Sequence, residues 1–326
     1  MSTQEALAIK PYDPMLHDID LRSKAVFYPA GFPVNIATNS RDVLEAAAES
    51  WGMYAAPEFA TAPLEIRVIV QPEGGLAETP QYRTQGQLFS AISDRHNFAA
   101  FDSKSMSGFS VVSQRTAAHH LALRMHFLEG MVYMLLAQRY VVPMHAACLA
   151  RNGSGVLLCG RSSAGKSTLA YGCARAGWTY VADDCTWLLP DSEDRVAVGR
   201  SHIVRFRDDA PRLFPELEGY VTHQYPNGKL TIEVPLADFP RIRTAWRCPV
   251  DRVVLLDRQG GGAPRIEKVC SEAMVERLLG DMPSYGEEVN SMYARTLGRL
   301  LTVPAFSMRY QTLDDAMSLL AELAIS

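Results

Sequence analysis

The six cysteines of this 326-residue chain (Cys148, Cys159, Cys173, Cys185, Cys248 and Cys270) stand singly. With no C-x-x-C pair among them, neither a disulfide framework nor a thiolate zinc site is written into the sequence. Reduced, buried thiols in a cytoplasmic protein are the expectation. A long apolar run is missing as well. The most apolar helical stretch, Leu121 to Val142, is interrupted by Arg124, Glu129 and Arg139, which makes it core rather than a membrane span. Met1 to Leu16 lacks an apolar segment of signal-peptide length. Neither sign of charge dominates: 32 basic and 36 acidic residues are interspersed and leave a net charge of −4. That excludes a basic nucleic-acid groove as the main surface. What the chain has is 48% hydrophobic residues, enough for a sizeable core, in a length that exceeds the usual single domain.

The most informative stretch is Gly160-Arg161-Ser162-Ser163-Ala164-Gly165-Lys166-Ser167-Thr168, a G-x-x-x-x-G-K-[ST] pattern. Its successive backbone N–H groups can cradle phosphates, with the lysine on the terminal phosphates and the hydroxyl on a metal. The flanks agree. Gly155 to Cys159 is a short apolar run suited to a buried strand, and Lys166 to Ala176 reads as a helix stopped by Gly177. A glycine-rich turn joining strand to helix would not require a lysine and a hydroxyl at the helix start, where the dipole already favours an anion.

In chain order, residues 1 to about 25 read as an irregular arm and Phe27 to Val34 as extended. Asn39-Ser40 caps a helix over Arg41 to Trp51, and Leu64 to Val70 alternates as a half-buried strand. Leu88–Ile92, Asn97–Phe101 and Gly108–Val112 form an antiparallel meander. A long helix then carries Leu121, Met125, Leu128, Val132 and Leu135 on one face. No internal repeat interrupts these residues, so 1–139 is one α+β module without assigned chemistry. The second module, 140–326, opens with the apolar strand Val141 to Ala150, turns at Asn152-Gly153, and feeds the phosphate loop. Trp178 to Ala182 is a strand ending in Asp183-Asp184. Further strands lie at Arg195–Val198, His202–Phe206, Lys229–Val234, Arg252–Asp257 and Phe306–Tyr310, and helices at Glu272–Leu279, Glu287–Leu301 and Leu313–Leu323.

Phosphoryl transfer needs positioning, charge neutralisation and a carboxylate to take the proton of the attacking hydroxyl. Asp183 and Asp184 stand at a strand end, where both can face one site. One can hold Mg2+ with Ser167 while the other serves as base.

Gly160 to Thr168, Leu169-Ala170, and Ala176-Gly177-Trp178-Thr179-Tyr180-Val181-Ala182-Asp183-Asp184, with His145 fifteen residues before Gly160, resemble the catalytic half of bacterial HPr kinase/phosphorylase and its wider kin. The resemblance covers residues 143 to 190. It implies an α/β fold shared with phosphoenolpyruvate carboxykinase, a mixed sheet around the phosphate loop, and the cofactors ATP and Mg2+. By the same likeness Asp183 is the general base, Asp184 and Ser167 are magnesium ligands, Lys166 is the phosphate clamp and His145 neighbours the reacting groups. Homo-oligomers are allowed by it. The chain departs from the family at Ser163, where glycine is usual, at Thr168, where glutamate is usual, and in lacking a Glu-x-Arg-Gly segment between Asp184 and Asp257. Those departures weigh against HPr itself as the acceptor.

The expected function is an ATP- and Mg2+-dependent kinase acting on a hydroxyl, serine-type on a protein or peptide. The alternatives are a small-molecule acceptor, a nucleotide-holding regulatory module without transfer, and a carboxykinase whose extra ligands the sequence does not supply. Asp257 could hold a metal, but a buried strand followed by the turn Gln259 to Gly262 accounts for it as well; Arg205, Arg207 and Lys229 could reach transferring phosphates, although solvated strand charges account for them better. His119, His120 and His126 have no carboxylates at zinc spacing in the sequence.

Overall fold

Period-two alternation decides the centre of the second half of the chain. In the strand Ser154–Cys159, Val156 and Leu158 fall in one buried cluster while Leu157 and Cys159 fall in another, so both faces of the sheet are covered. The computed structural model describes residues 19–54, 59–190, 195–225, 228–258 and 262–324. The chain divides into two units, Met1–Gln138 and Arg139–Ser326.

In the first unit seven strands form one sheet: β1 (Ser23–Phe27), β2 (Val34–Thr38), β3 (Leu64–Gln71), β4 (Gln81–Gln85), β5 (Leu88–Asp94), β6 (Asn97–Asp102) and β7 (Ser107–Ser113). Their order is β1-β2-β3-β7-β6-β5-β4, parallel only at β2·β3 and β3·β7. The meander is in place as β5 to β7, whereas β4 has no counterpart in the sequence reading and β1 begins inside the expected arm. The rest of that arm, residues 1–18, lies outside the described residues. The helix α1 (Arg41–Trp51) has Ser40 at its cap position, but the Ser40 hydroxyl makes no capping bond. Asn39 instead clamps the backbone of Val70 with two hydrogen bonds of 2.8 Å.

The expected long helix is not uniformly α-helical: after a short α2 (Gln114–Ala118), α3 (His120–Ala122), a π-helical turn over Leu123–Glu129 and α4 (Gly130–Ala137) follow one another without a gap. It ends at Ala137, and Val142 belongs to the next strand. The wider π turn holds the buried Arg124 and Glu129, which share Ser50 of α1: Ser50 Oγ donates to Glu129 Oε1 at 2.7 Å and Arg124 Nε donates to Ser50 Oγ at 3.0 Å. Folding also brings His120 to Glu49 (2.5 Å) and into a group with Asp42 and Glu45 whose ligand atoms lie within 4.8 Å of one another. Carboxylates invisible as a spacing in the sequence therefore do accompany one of the histidines.

The second unit is α/β with a mixed sheet. Its strands are β8 (Val142–Met144), β9 (Ala146–Arg151), β10 (Ser154–Cys159), β11 (Thr179–Ala182), β12 (Thr186–Leu188), β13 (Val196–Gly199), β14 (Ile203–Arg207), β15 (Thr222–Gln224), β16 (Leu230–Pro235), β17 (Arg243–Thr244), β18 (Arg247–Asp257), β19 (Arg265–Lys268) and β20 (Ala305–Arg309). The main sheet runs β17-β11-β9-β10-β18-β13-β12-β8, and β20 pairs with β18 and β19. β18 lies between β10 and β20 and is parallel to both; β9 is antiparallel to β10 and β11. β18 is long because its edge away from β10 serves two partners, β13 through Arg247 to Pro249 and β20 through Val253 to Asp257.

The helices α5 (Lys166–Arg175) and α8 (Leu313–Leu323) cover one face of this sheet, and α6 (Ser271–Gly280) and α7 (Glu287–Leu300) cover the other. α8 starts on a full capping box between Thr312 and Asp315. It packs tightly on α5 at Gly172, where an added Cβ would sit 3.1 Å from Met317 Sδ. The separate three-stranded sheet β14-β16-β15 is anchored to α5 by Tyr171, whose ring meets Phe206 and Phe214 edge-on at 5.1 and 4.9 Å. Four of the six cysteines are buried, but Cys270 is exposed, contrary to the expectation.

Candidate functional site

The phosphate loop leaves the carboxyl end of β10 and enters α5 at Gly165. Gly165 has φ 93°, and a Cβ there would lie 2.6 Å from Tyr310 Oη, so only glycine fits. The Tyr310 hydroxyl donates to the Ala164 carbonyl and braces the loop from 146 residues away in sequence. Ser163, at the usual glycine position of the resembled family, does adopt the left-handed region, φ 66°, at a cost of about 1–2 kcal/mol.

No side chain caps α5, and its first internal bond runs from Leu169 N to Gly165 O. The amides of Lys166, Ser167 and Thr168 thus point out of the helix start, which is the electropositive end. Lys166 is only 4% exposed. Its ammonium donates to Gly160 O at 2.9 Å and Arg161 O at 3.3 Å, folded back beneath the loop. Burial lowers its pKa, with Lys229 adding to the shift; Asp184, Cys159 and Asp183 oppose it. Both acids therefore act on this lysine.

Sheet register explains how they come to it. Cys159 pairs with Ala146, and Ala182 pairs with Cys148 after a bulge at Val181. β9 runs antiparallel between its neighbours, so the carboxyl ends of β10 and β11 and the amino end of β9 meet at one edge. The loop, the two acids and His145 are delivered to that edge together. The expected single strand Val141 to Ala150 is in fact broken at His145, between β8 and β9, which pair with different neighbours. The break frees the side chain: His145 is half-exposed and its Nε2 lies 2.8 Å from Asp184 Oδ1. Thr186 Oγ1 fixes the start of β9 by donating to Ala146 O at 2.8 Å.

The two acids differ. Asp183 is 6% exposed and accepts the Arg205 N–H at 2.9 Å. Burial, then the charge of Asp184, raises its pKa to about 6, against the opposing Arg205 N–H, the Arg205 charge and Tyr180. Asp184 is half-exposed. Burial opposes its ionisation, but His145, Lys166 and Arg205 outweigh that and hold it below the ordinary carboxylate value. One carboxyl is thus poised to exchange a proton near neutral pH and its neighbour stays anionic. Two cations read from sequence as solvated strand charges belong here. Lys229 Nζ reaches Ser162 Oγ at 3.4 Å, and Arg205 pairs with Glu233 at 3.0 Å beneath Tyr225, whose hydroxyl also donates to Glu233. Arg207 and Lys229 are exposed as expected, whereas Arg205 is partly buried. No sequence spacing pointed to Tyr310, Lys229 or Arg205, because each arrives from a distant strand.

A family model described as SynChlorMet cassette protein ScmC matches residues 110–199. That is less than half of the chain. Among solved structures, the chain is similar to the Hpr(Ser) kinase/phosphatase from Coxiella burnetii, at 13% identity and a TM-score of 0.31, covering 56% of this chain and 96% of that one. The two chains overlap too loosely for any residue role to pass between them. No curated protein matches.

The residues present suit a polyphosphate and a divalent ion. The uncapped helix start and the buried ammonium supply the anion cradle, and Ser167 with the anionic Asp184 supplies hard oxygen donors. Asp257 sits apart from this group, at the end of β18, with Arg309 Nε 3.7 Å from its carboxylate. Among the described residues no helix is long and apolar enough to cross a membrane.

Proposed function

We infer that the second unit is a kinase that binds ATP with Mg2+ and transfers the terminal phosphate to a hydroxyl, serine-type on a protein or peptide. The observation that carries this reading is the buried Lys166 ammonium, held on two loop carbonyls beneath an uncapped helix start with paired acids acting on it. Lys166 would hold the terminal phosphates, and the amides at the start of α5 the phosphate before them. Ser167 and Asp184 would hold the metal, which when bound neutralises the charge that builds on the transferred group. Asp183 would accept the acceptor hydroxyl proton, a task suited to a carboxyl with a pKa of about 6. His145, hydrogen-bonded to Asp184, orients that carboxylate.

A second reading, nucleotide binding without transfer, is favoured by one feature. The Asp183 carboxylate already accepts a backbone N–H in a buried setting. The two readings separate in one experiment with γ-labelled ATP, Mg2+ and a panel of serine-containing peptides. The kinase reading expects label on a peptide hydroxyl, loss of ATP binding in Lys166→Ala, and retained binding with lost transfer in Asp183→Asn. Label that stops at nucleotide or inorganic phosphate supports the regulatory reading. Normal turnover by Asp183→Asn removes Asp183 as the base.

A further inference from the structure

On the other side of the phosphate loop from the acids lies a cleft of about 590 Å³, within the size range of small-ligand sites, roughly 300–1,000 Å³. Its walls are the outer side of the loop, the end of β18 at Leu256, Asp257 and Arg258, Arg277 from α6, and Ser307 from β20. We propose that this cleft is the nucleoside subsite, taking the sugar and base of a nucleoside triphosphate whose phosphates lie over the loop. The inference rests on the kinase reading and adds to it the residues that recognise the part of the ligand beyond the phosphates.

Sheet order carries the argument. At the edge where the loop emerges the strands run β11-β9-β10-β18, with β20 beyond β18. The loop rises from β10, in the middle. Asp183, Asp184 and His145 come from the β9 and β11 side, and the cleft comes from the β18 and β20 side. A triphosphate lying across the loop with its terminal phosphate toward the acids must direct its other end toward the cleft. In open sheets of this kind ligands also lie outside the carboxyl ends of parallel strands, and β10, β18 and β20 are parallel here.

The lining chemistry suits a nucleoside better than an acceptor peptide. Asp257 ends a parallel strand beside the loop strand, and its carboxylate is 42% exposed, able to accept from vicinal sugar hydroxyls with Arg309 Nε 3.7 Å away. Arg258 and Arg277 are exposed and flank it, offering planar guanidinium faces on which a base can stack. Arg277 stands close enough to the end of β10 for its charge to act on the Cys159 thiol, as the Lys166 charge also does. The apolar floor comes from Ala164, Leu255 and Leu256.

The test compares ATP with inorganic tripolyphosphate, each with Mg2+, by calorimetry on the full chain and on Arg277→Ala and Asp257→Asn, with melting temperatures recorded for both variants. The expected result is that wild type binds ATP at least tenfold more tightly than tripolyphosphate. Each variant loses at least tenfold in ATP affinity while tripolyphosphate stays within twofold. Equal wild-type affinity for the two ligands, unchanged ATP affinity in Arg277→Ala, or a parallel loss of both ligands overturns the proposal. So does a change confined to the KM of the acceptor, which would make the cleft an acceptor groove. Wild type that binds neither ligand defeats the kinase reading itself, a different result from any of these. Arg277 is an exposed helical position, so its variant keeps the test valid if Asp257→Asn unfolds.

Discussion

Replacing Asp183 by asparagine should stabilise the apoprotein while it removes transfer. Asp183 is nearly fully buried and its pKa is about 6 against an ordinary 3.8. The native state therefore holds a proton that the unfolded chain has released between pH 4 and 6, and stability falls as pH rises through that window. About two pKa units at 1.36 kcal/mol each make the penalty on the order of 3 kcal/mol at pH 7. The asparagine side chain has no charge to desolvate, and its carbonyl oxygen can still accept the Arg205 N–H. For a unit of this size the gain corresponds to roughly 6–12 °C in melting temperature at pH 7.5, with little difference between the two proteins at pH 4. The assay is thermal unfolding in metal-free buffer at both pH values, with wild type alongside. A variant that melts at or below wild type at pH 7.5, or gains as much at pH 4, would refute the claim that burial of this carboxylate is what raises its pKa.

Gly165→Ala introduces a Cβ at φ 93° against Tyr310 Oη. The left-handed strain alone is about 1–2 kcal/mol, so ATP affinity should fall roughly fivefold to thirtyfold; titration calorimetry with unchanged affinity would contradict the glycine argument. Lys229→Ala removes a cation beside Ser162, and a charge-assisted contact of about 1.5–3 kcal/mol predicts roughly a tenfold or greater loss in kcat/KM for phosphate transfer. Because Lys229 is exposed, its melting temperature should be nearly unchanged, and a large drop would mean the residue is structural. Leu158→Ala, in the buried strand feeding the loop, should cost about 2–5 kcal/mol by denaturant unfolding; a loss below about 1 kcal/mol would mean the two-sided burial of β10 has been misread.

Much of the second unit was legible because its signals are local. The strand, glycine loop and helix from Ser154 to Arg175 follow from apolar alternation and backbone constraints within about twenty residues. The last helix, α8, was legible for the same reason, because Ala316, Leu319, Leu320 and Leu323 recur on one helical face; the capping box at Thr312 emerged only in the structure. The long helix was misread between Leu121 and Val142 because apolar periodicity does not distinguish an α-helical from a π-helical turn, nor a helix end from the start of a buried strand. The broken strand at His145 was equally hidden, since β8 and β9 part only because each has a different pairing partner.

The sequence alone thus determined that a glycine loop joins β10 to the start of α5 and that two acids follow it at a strand end, since both depend on neighbours along the chain. It could not set which acid is buried, which charges join the loop, or where a cleft opens. Those follow from register between β9, β10 and β11, from Tyr310 closing on Ala164, and from Lys229 and Arg277 arriving on separate elements. Burial and electrostatic coupling are properties of the packed neighbourhood, and only the tertiary structure assembles it.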